Sequence, residues 1–283
     1  MTSVRPAAIA GMFYPGKPEI LARDVGAMLL AARPATAMPV PKAIIAPHAG
    51  FIYSGPVAAS IYALITPARA HIKRVVLLGP THRVAIHGMA LPGVDAFTTP
   101  LGTVPIAADA VKKLMALSYV GANAEAHRLE HSLEVQLPFL QKVIDEFSLL
   151  PLAVGRASAQ QVAAVIELLW GGDETLIVIS SDLSHYLPYA DAQTMDNGTA
   201  QAILGLRTDI SHQQACGATP VNGLNLLAQQ RRLKPVMIDV RNSGDTAGDK
   251  ARVVGYGSFA FFETPRPGGE LESPFSLREK GRG

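Results

Sequence analysis

The chain has 283 residues, of which 48% are hydrophobic and 17% charged, and 25 Lys and Arg against 23 Asp and Glu leave a net charge of +2. This length can bury a sizeable core, and the near-neutral charge provides no global field that would attract nucleic acid or an anionic membrane. Cys216 is the single cysteine, which excludes an intramolecular disulfide and favours a reducing compartment.

The sequence offers no convincing targeting or membrane-spanning segment. The first residues, MTSVRPAAIAGMFYPG, make a poor signal peptide because Pro6 and Pro15 interrupt a short apolar stretch. The apolar run VAAVIELLW contains Glu167 and is too short to span a bilayer. We therefore expect a soluble cytoplasmic protein with neither a membrane nor a nucleic acid as partner.

Apolar runs of strand length alternate with segments of helical period along the chain. Strands are expected at about 42–47, 73–79, 148–154, 174–181, 234–242 and 252–262. Helices are predicted for EILARDVGAMLLAA after Pro18, GPVAASIYALI, SLEVQLPFLQKVI, SAQQVAAVIELLW, ADAQTMDNGTAQAILGL and PVNGLNLLAQQRRL. This alternation predicts a single α/β domain with three layers, α/β/α, around a mainly parallel sheet.

Three segments modify this simple alternation. Residues 88–105, GMALPGVDAFTTPLGTVP, are rich in Gly, Pro and Thr and predict a hairpin or an ordered loop. Only DTAGDK separates the last two strands, which is too short for a crossover helix, so we expect these strands to pair antiparallel in a mixed sheet. Residues 1–263 are expected to form one domain, and residues 264–283 a disordered tail.

Three predicted strands end in a histidine motif. These are AIIAPHAG with His48, VVLLGPTH with His82, and LIVISSDLSH with Asp182 and His185. In open α/β sheets, ligands bind beyond the carboxyl ends of the strands, where residues distant in sequence meet. A single histidine is more often solvated or part of the core, but three such motifs together favour a site. Two imidazoles and an anionic donor suit a divalent transition metal.

The third donor must come from Asp182, Cys216 or a glutamate. Cys216 precedes a helix predicted to begin near Pro220, whose positive end would lower the thiol pKa, although a free cysteine is often simply a small buried residue. Asp182 and His185 lie three residues apart and form an acid–imidazole pair suited to general base chemistry. Alternatively, Asp182 caps a following helix.

The segment RLEHSLEVQLPFL places His131 and Glu134 at positions i and i+3 of a predicted helix, with Glu130 beside them. The HExxH pattern of zinc proteases is absent, and we expect a buried polar network under the site in preference to direct ligation. The other histidines are expected to be solvated: His71, His87, His127 and His212. The chain also lacks a phosphate-binding loop and a GxSxG nucleophile motif.

Five motifs in this order, APHAGFIYSG, LLGPTH, EHSLEVQLPFL, ISSDLSHY and CGATPVNGL, resemble the Memo family, whose bacterial members are also called AmmeMemoRadiSam system protein B. The match runs from about Ala10 to Phe262. The resemblance implies a fold like that of class III extradiol dioxygenases, which hold Fe(II) with two His and one Glu and use a further His as acid and base.

The same resemblance assigns roles to residues of this chain. His48 and His82 match the metal histidines, and His185 matches the acid–base histidine. Cys216 stands in place of the glutamate ligand, and Asp182 matches a further pocket residue. A thiolate is softer and more easily oxidised than a carboxylate, so the substitution argues against assuming ring cleavage.

Three functions are compatible with such a site. The leading hypothesis is a redox protein that binds iron or copper and a small phenolic or oxygen-rich ligand. The second is a zinc-type hydrolase in which the metal activates water. The third is a non-catalytic metal carrier or scaffold, with a partner protein of the radical-SAM system that the family name suggests.

Overall fold

The computed structural model describes residues 2–32 and 38–264. The strands in chain order are β1 (Val4–Arg5), β2 (Ala43–Ala46), β3 (Arg74–Pro80), β4 (Met89–Leu91), β5 (Ala96–Thr99), β6 (Gly102–Pro105), β7 (Val120–Ala122), β8 (Ser148–Val154), β9 (Thr175–Ser180), β10 (His185–Leu187), β11 (Lys234–Asn242) and β12 (Val253–Phe262). All six strands predicted from the sequence are present, displaced by no more than one residue at either end.

The helices enclose this set of strands. They are α1 (Pro18–Ala31), α2 (Phe51–Tyr62), α3 (Ala108–Leu114), α4 (Ala124–Arg128), α5 (His131–Glu134), α6 (Leu137–Val143), α7 (Ala159–Leu168), α8 (Tyr189–Leu204), α9 (Ala218–Arg231) and α10 (Ser243–Thr246). A 3-10 helix, Ala63–Ala68, continues α2.

Within the described residues, the main sheet has nine strands in the order β10-β12-β2-β9-β3-β8-β4-β7, and β11 also pairs with β12. The central strands β2, β9, β3 and β8 run parallel. β12 joins β2 and β11 antiparallel, and β4 joins β8 antiparallel. The expected mixed sheet with a parallel centre is confirmed, as is the antiparallel pairing of the last two long strands.

Alternate side chains of the central strands enter two different cores, one on each face of the sheet. Ala43 and Ile45 pack in a core that includes Val162 of α7, whereas Ile44 packs in one that includes Leu21 of α1. Because side chains alternate between the faces of a strand, a strand covered on both sides is apolar throughout. Helices therefore lie on both faces, and the α/β/α arrangement is confirmed.

The hairpin expected within 88–105 is formed by its second half. β5 and β6 pair antiparallel and make a separate three-stranded sheet with β1, whereas β4 joins the main sheet.

The predicted helix SLEVQLPFLQKVI is interrupted between α5 and α6. Pro138 explains the break, because it has no N–H to bond the carbonyl of residue 134.

The predicted tail, 264–283, lies outside the described residues except for Thr264. Among the helices that the structure describes, one stretch, Phe51–Ala68, is long and apolar enough to cross a membrane by length and composition. Of that stretch, 61% is buried inside the fold, as in the core helix of a soluble α/β protein.

Candidate metal centre

The ends of β2, β3 and β9 bring the expected histidine motifs to one edge of the sheet. β2 ends at Ala46, two residues before His48, and β3 ends at Pro80, two residues before His82. Their side chains meet a third imidazole, that of His131 at the start of α5. One ligand atom from each of the three histidines lies within 4.8 Å of the others, so the cluster could hold a metal ion.

The His48 ring is fixed through its Nδ1 atom, which lies 2.8 Å from the Ser180 hydroxyl. That hydroxyl donates its own proton to the Ser132 carbonyl at 2.6 Å, so it must accept a hydrogen bond from His48 Nδ1–H. The lone pair of the His48 imidazole therefore lies on Nε2. Burial and the neighbouring histidines hold the pKa of His48 well below its usual value. The ring is therefore neutral and can donate its Nε2 lone pair to a metal.

Glu130 fixes His82 in the same way. One carboxylate oxygen lies 2.8 Å from His82 Nδ1, and the other accepts the His82 backbone N–H at 2.6 Å. Burial alone raises the pKa of Glu130, but hydrogen bonds and charge from His82 outweigh it and lower the pKa to about 2. An ionised carboxylate only accepts hydrogen bonds, so His82 Nδ1 carries a proton and Nε2 is the ring nitrogen left to face a metal.

His131 lies within the cluster, which differs from the expected position in a network under the site. Its ring stacks on His82 with centroids 4.5 Å apart, and Phe13 packs against it at 4.8 Å. Burial lowers the pKa of His131 to about 4, so this imidazole is also neutral. Glu130 is the first residue before α5 and hydrogen-bonds His82, so the next residue, His131, begins the helix in contact with the His82 ring.

Glu134 is separated from His131 although the two share a short helix. Its carboxylate accepts hydrogen bonds from Arg5 at 2.5 Å, from Tyr14 at 2.6 Å and from the backbone N–H of Ala8 at 2.8 Å. The side chain is fully buried. Glu134 therefore belongs to a buried polar network that ties the N-terminal segment to α5.

Asp182 contacts the metal centre through His48. One carboxylate oxygen accepts the His48 backbone N–H at 2.7 Å, and the other lies 3.9 Å from His48 Nε2. Burial raises the pKa of Asp182 to about 7, although hydrogen bonds from the backbone and the charge of His82 oppose the rise. The geometry makes Asp182 a residue that fixes the turn after β2.

Cys216 lies beside His48, with Sγ at 3.2 Å from Nε2. Its sulfur also accepts the Asp182 backbone N–H at 3.3 Å. The expected lowering of the thiol pKa is wrong: burial, together with the charge of Asp182, raises it to about 12. Although α9 begins at Ala218, two residues after the cysteine, desolvation of a thiolate outweighs the helix end. Cys216 is not part of the three-histidine set.

His185 is held on β10, where the pairing with β12 is irregular between His185 and Leu187. Tyr186 between them has φ of 61°, which is uncommon for a residue other than glycine. His185 Nδ1 lies 2.9 Å from the Leu183 carbonyl and so carries the proton, leaving the lone pair on Nε2. Burial lowers the pKa of His185.

Two supporting residues, Ser180 and Glu130, were not among the predicted site residues. Glu130 adjoins His131 in the sequence, and an acid that precedes a helix is the available signal for it. Ser180 carries no such signal.

His71, His87 and His212 are exposed as expected, but the prediction for His127 is wrong. It is 2% exposed, with Nε2 at 2.8 Å from the Ala90 carbonyl, because α4 turns it toward β4.

A comparison with protein families matches residues 5–260 to the family described as Memo-like protein. A MEMO1 family protein of Aquifex aeolicus is 37% identical over 265 residues, which are 89% of this chain and 97% of that protein. One from Metallosphaera sedula is 38% identical over 228 residues, 75% of this chain and 80% of that protein. An uncharacterised Escherichia coli protein of solved structure aligns at 13% identity with a TM-score of 0.47, over 76% of this chain and 98% of its own. The chain therefore belongs to the Memo family.

Proposed function

We propose that this chain binds a divalent metal, iron(II) in preference to copper, and performs redox chemistry on a small phenolic or oxygen-rich ligand. The observation that carries the proposal is that His48 and His82 both have Nδ1 engaged in a hydrogen bond, which leaves Nε2 of each ring to face a metal. The pKa of His48 lies well below its usual value, so this imidazole need lose no proton on binding a metal. Bound iron(II) would supply one-electron chemistry with dioxygen.

Cys216 is proposed as the third ligand. Metal bonds of about 2.0–2.1 Å to nitrogen and 2.3 Å to sulfur, at angles of roughly 90–110°, place the two donors about 3.1–3.6 Å apart. The separation of 3.2 Å between Cys216 Sγ and His48 Nε2 falls in this range. The Asp182 backbone N–H that points at the sulfur would stabilise a thiolate. His131 is the competing donor.

His185 is proposed as the group that moves protons. Its Nδ1 proton is donated to the Leu183 carbonyl, so Nε2 can accept a proton from a ligand hydroxyl and return it. Asp182 acts through His48, because its carboxylate fixes the backbone from which that ligand projects. A reducing cytoplasmic location, which would keep Cys216 reduced, is part of the proposal.

The first test is metal content after anaerobic purification. We expect stoichiometric metal in the wild type, loss in His48→Ala, His82→Ala and Cys216→Ser, and retention in the control His71→Ala, which alters an exposed histidine. Loss in His131→Ala with retention in Cys216→Ser would show that the third ligand is His131. Stoichiometric metal in both His48→Ala and His82→Ala would contradict the site.

The second test is oxygen uptake by iron-loaded protein with a panel of catechols. We expect uptake in the wild type and its loss in His185→Ala, which should still hold the metal. Bound metal without uptake for any ligand would contradict the redox proposal. A stable partner recovered with such a protein would favour the carrier or scaffold alternative and its radical-SAM partner.

A zinc-type hydrolase is the second candidate, and the three-histidine cluster favours it. Three imidazoles with an open fourth position are a ligand set of catalytic zinc sites, where the metal lowers the pKa of bound water. This candidate predicts zinc in the purified protein and ester hydrolysis that proceeds equally with and without oxygen.

A further inference from the structure

A cleft of about 670 Å³ opens beside the histidine cluster. Two side chains of the proposed metal site, His82 and Cys216, line it together with residues outside that site, among them Arg156, Gln161 and Thr219. Small-molecule sites typically enclose about 300–1,000 Å³. A small ligand in this cleft can therefore contact both the metal site and Arg156.

Arg156 is the one Lys, Arg, Asp or Glu side chain among the described residues that line the cleft. Its main chain is fixed, since its N–H donates to the Ile86 carbonyl at 2.9 Å and its carbonyl accepts from Gly88 at 2.8 Å. The preceding residue, Gly155, lets this segment pass close to the backbone of Ile86, because a Cβ at position 155 would lie 2.3 Å from the Ile86 oxygen. The segment that carries Arg156 is thus held in place at the cleft.

The guanidinium of Arg156 makes no hydrogen bond or ion pair with any residue in 2–32 or 38–264. Several arginines are paired with carboxylates, such as Arg69 with Asp145 and Arg231 with Glu167, whereas Arg156 is exposed at the cleft with its donors unused within the described residues. An arginine presents a planar fork of donors that matches a carboxylate. Arg156 therefore offers this fork to a molecule in the cleft.

The surroundings of Arg156 add positive potential. Gln161 in the first turn of α7 and Thr219 in the first turn of α9 both line the cleft, and neither helix has an acidic residue in that turn. The positive ends of these helices are therefore not neutralised by their own side chains. A negatively charged ligand suits such a cleft better than a neutral one.

We propose that the cleft binds a small organic acid, whose carboxylate pairs with Arg156 while its other end reaches the metal site. Contact with a metal rests on the proposed function, but the pairing with Arg156 does not. Arg156 is a specificity-determining residue in this assignment, since it selects acids over neutral analogues of the same shape.

The first test needs no metal, because Cys216 is the single cysteine and lines the same cleft. Its thiolate displaces iodide from iodoacetate or from neutral iodoacetamide, forming one C–S bond and leaving the thiol proton with solvent. Mass spectrometry on metal-free protein follows both rates. The rate with iodoacetate divided by the rate with iodoacetamide should fall about 10-fold in Arg156→Gln, because the guanidinium that attracts the carboxylate is lost. Arg83→Gln, an exposed arginine that does not line the cleft, should leave the ratio unchanged.

An unchanged ratio in Arg156→Gln would overturn the pairing. The reaction is run at about pH 10, because the raised pKa of Cys216 leaves little thiolate at neutral pH, and failure of folded protein to react with either reagent there would overturn the access that the proposal requires. Arg156→Lys should give an intermediate ratio, since it keeps the charge without the fork. The alkylation rates are measured on metal-free protein, so they remain informative even if the chain binds no metal. The proposed function and the pairing with Arg156 can therefore fail separately.

The second test uses metal-loaded protein and the monohydroxamates of succinic, glutaric and adipic acid, with the matching terminal amides as neutral controls. At the best chain length, the acid should bind about 10–100-fold more tightly than its amide. Arg156→Gln should abolish that preference and leave metal content and amide affinity unchanged. Equal binding of acid and amide by the wild type, or a preference that survives Arg156→Gln, would contradict the proposal.

Discussion

Helix α5 contributes to two polar clusters of different kinds, one fully buried at Glu134 and one that reaches the surface at His82. At Glu134, the carboxylate accepts hydrogen bonds from Arg5, from Tyr14 and from the backbone of Ala8, so its capacity is used within the protein. At His131, on the same short helix, the described residues provide no hydrogen-bond partner for the Nε2 atom of either His131 or His82. The first cluster is closed and the second is open.

This difference shows which buried polar groups indicate a site. Polar side chains in a core are normally satisfied by hydrogen bonds, and a satisfied network stabilises the fold without binding anything. An imidazole with Nδ1 fixed and Nε2 without a partner among the described residues, as in His82, is arranged for a ligand. Hydrogen bonding therefore distinguishes the two clusters, because Glu134 is fully satisfied within the protein and His82 Nε2 is not.

The largest expected effect comes from breaking the closed cluster. Glu134→Gln leaves the buried Arg5 charge without its counter-ion, so the free energy of unfolding should fall by about 3–5 kcal/mol. Chemical denaturation measures the loss. Metal bound per folded molecule should stay the same, because Glu134 does not contact the histidines.

The matched control is Glu125→Gln, which breaks the exposed ion pair with Arg128 and should leave stability unchanged. If Glu134→Gln cost no more than this surface variant, the closed cluster would not stabilise the fold. If it removed metal from folded protein, the two clusters would not be independent.

A smaller effect is expected from the residues behind the metal ligands. Glu130→Gln removes the charge that faces His82, and Ser180→Ala removes the hydroxyl that fixes His48. Each should weaken metal binding by about 10–100-fold, as measured by competition with a chelator. Ser60→Ala, which alters a hydroxyl bonded to Asp239, is the control, and equal metal affinity in all three variants would contradict the assigned tautomers.

The smallest effect concerns the backbone next to His185. Tyr186 has φ of 61°, so Tyr186→Gly should be more stable than Tyr186→Ala by about 1 kcal/mol, since both lose the ring and only glycine relieves the strain. Thermal unfolding of the pair measures this difference. The reverse order, which is normal inside a helix, would show that the turn relaxes when the tyrosine ring is removed.

The strand-end motifs could be found from the sequence because each depends on local order. An apolar run followed by a proline, as at Pro47 and Pro80, indicates where a strand and its hydrogen bonding end. Side-chain partners across the fold could not be found in this way. Ser180 and His48 are 132 positions apart, and the sequence carries no sign that their strands, β9 and β2, are neighbours.

His127 and Cys216 show why local reasoning failed elsewhere. His127 sits among polar residues in the sequence, but the way α4 packs on β4 buries it against the Ala90 carbonyl. The thiol of Cys216 lies near a helix start, but the surrounding protein excludes the water that would solvate a thiolate, so its pKa rises. Both outcomes depend on the atoms that surround a side chain.

The sequence by itself determined the alternation of strands and helices, the mixed sheet and the edge at which the histidines gather, because these follow from periodicity and from local chain-breaking residues. The tertiary structure alone decided that His131 joins His48 and His82, that Glu134 is tied to Arg5, and that Ser180 fixes the His48 ring through Nδ1. The physical reason is that hydrogen bonding and desolvation depend on contacts between segments far apart in the chain, which only the folded packing brings together.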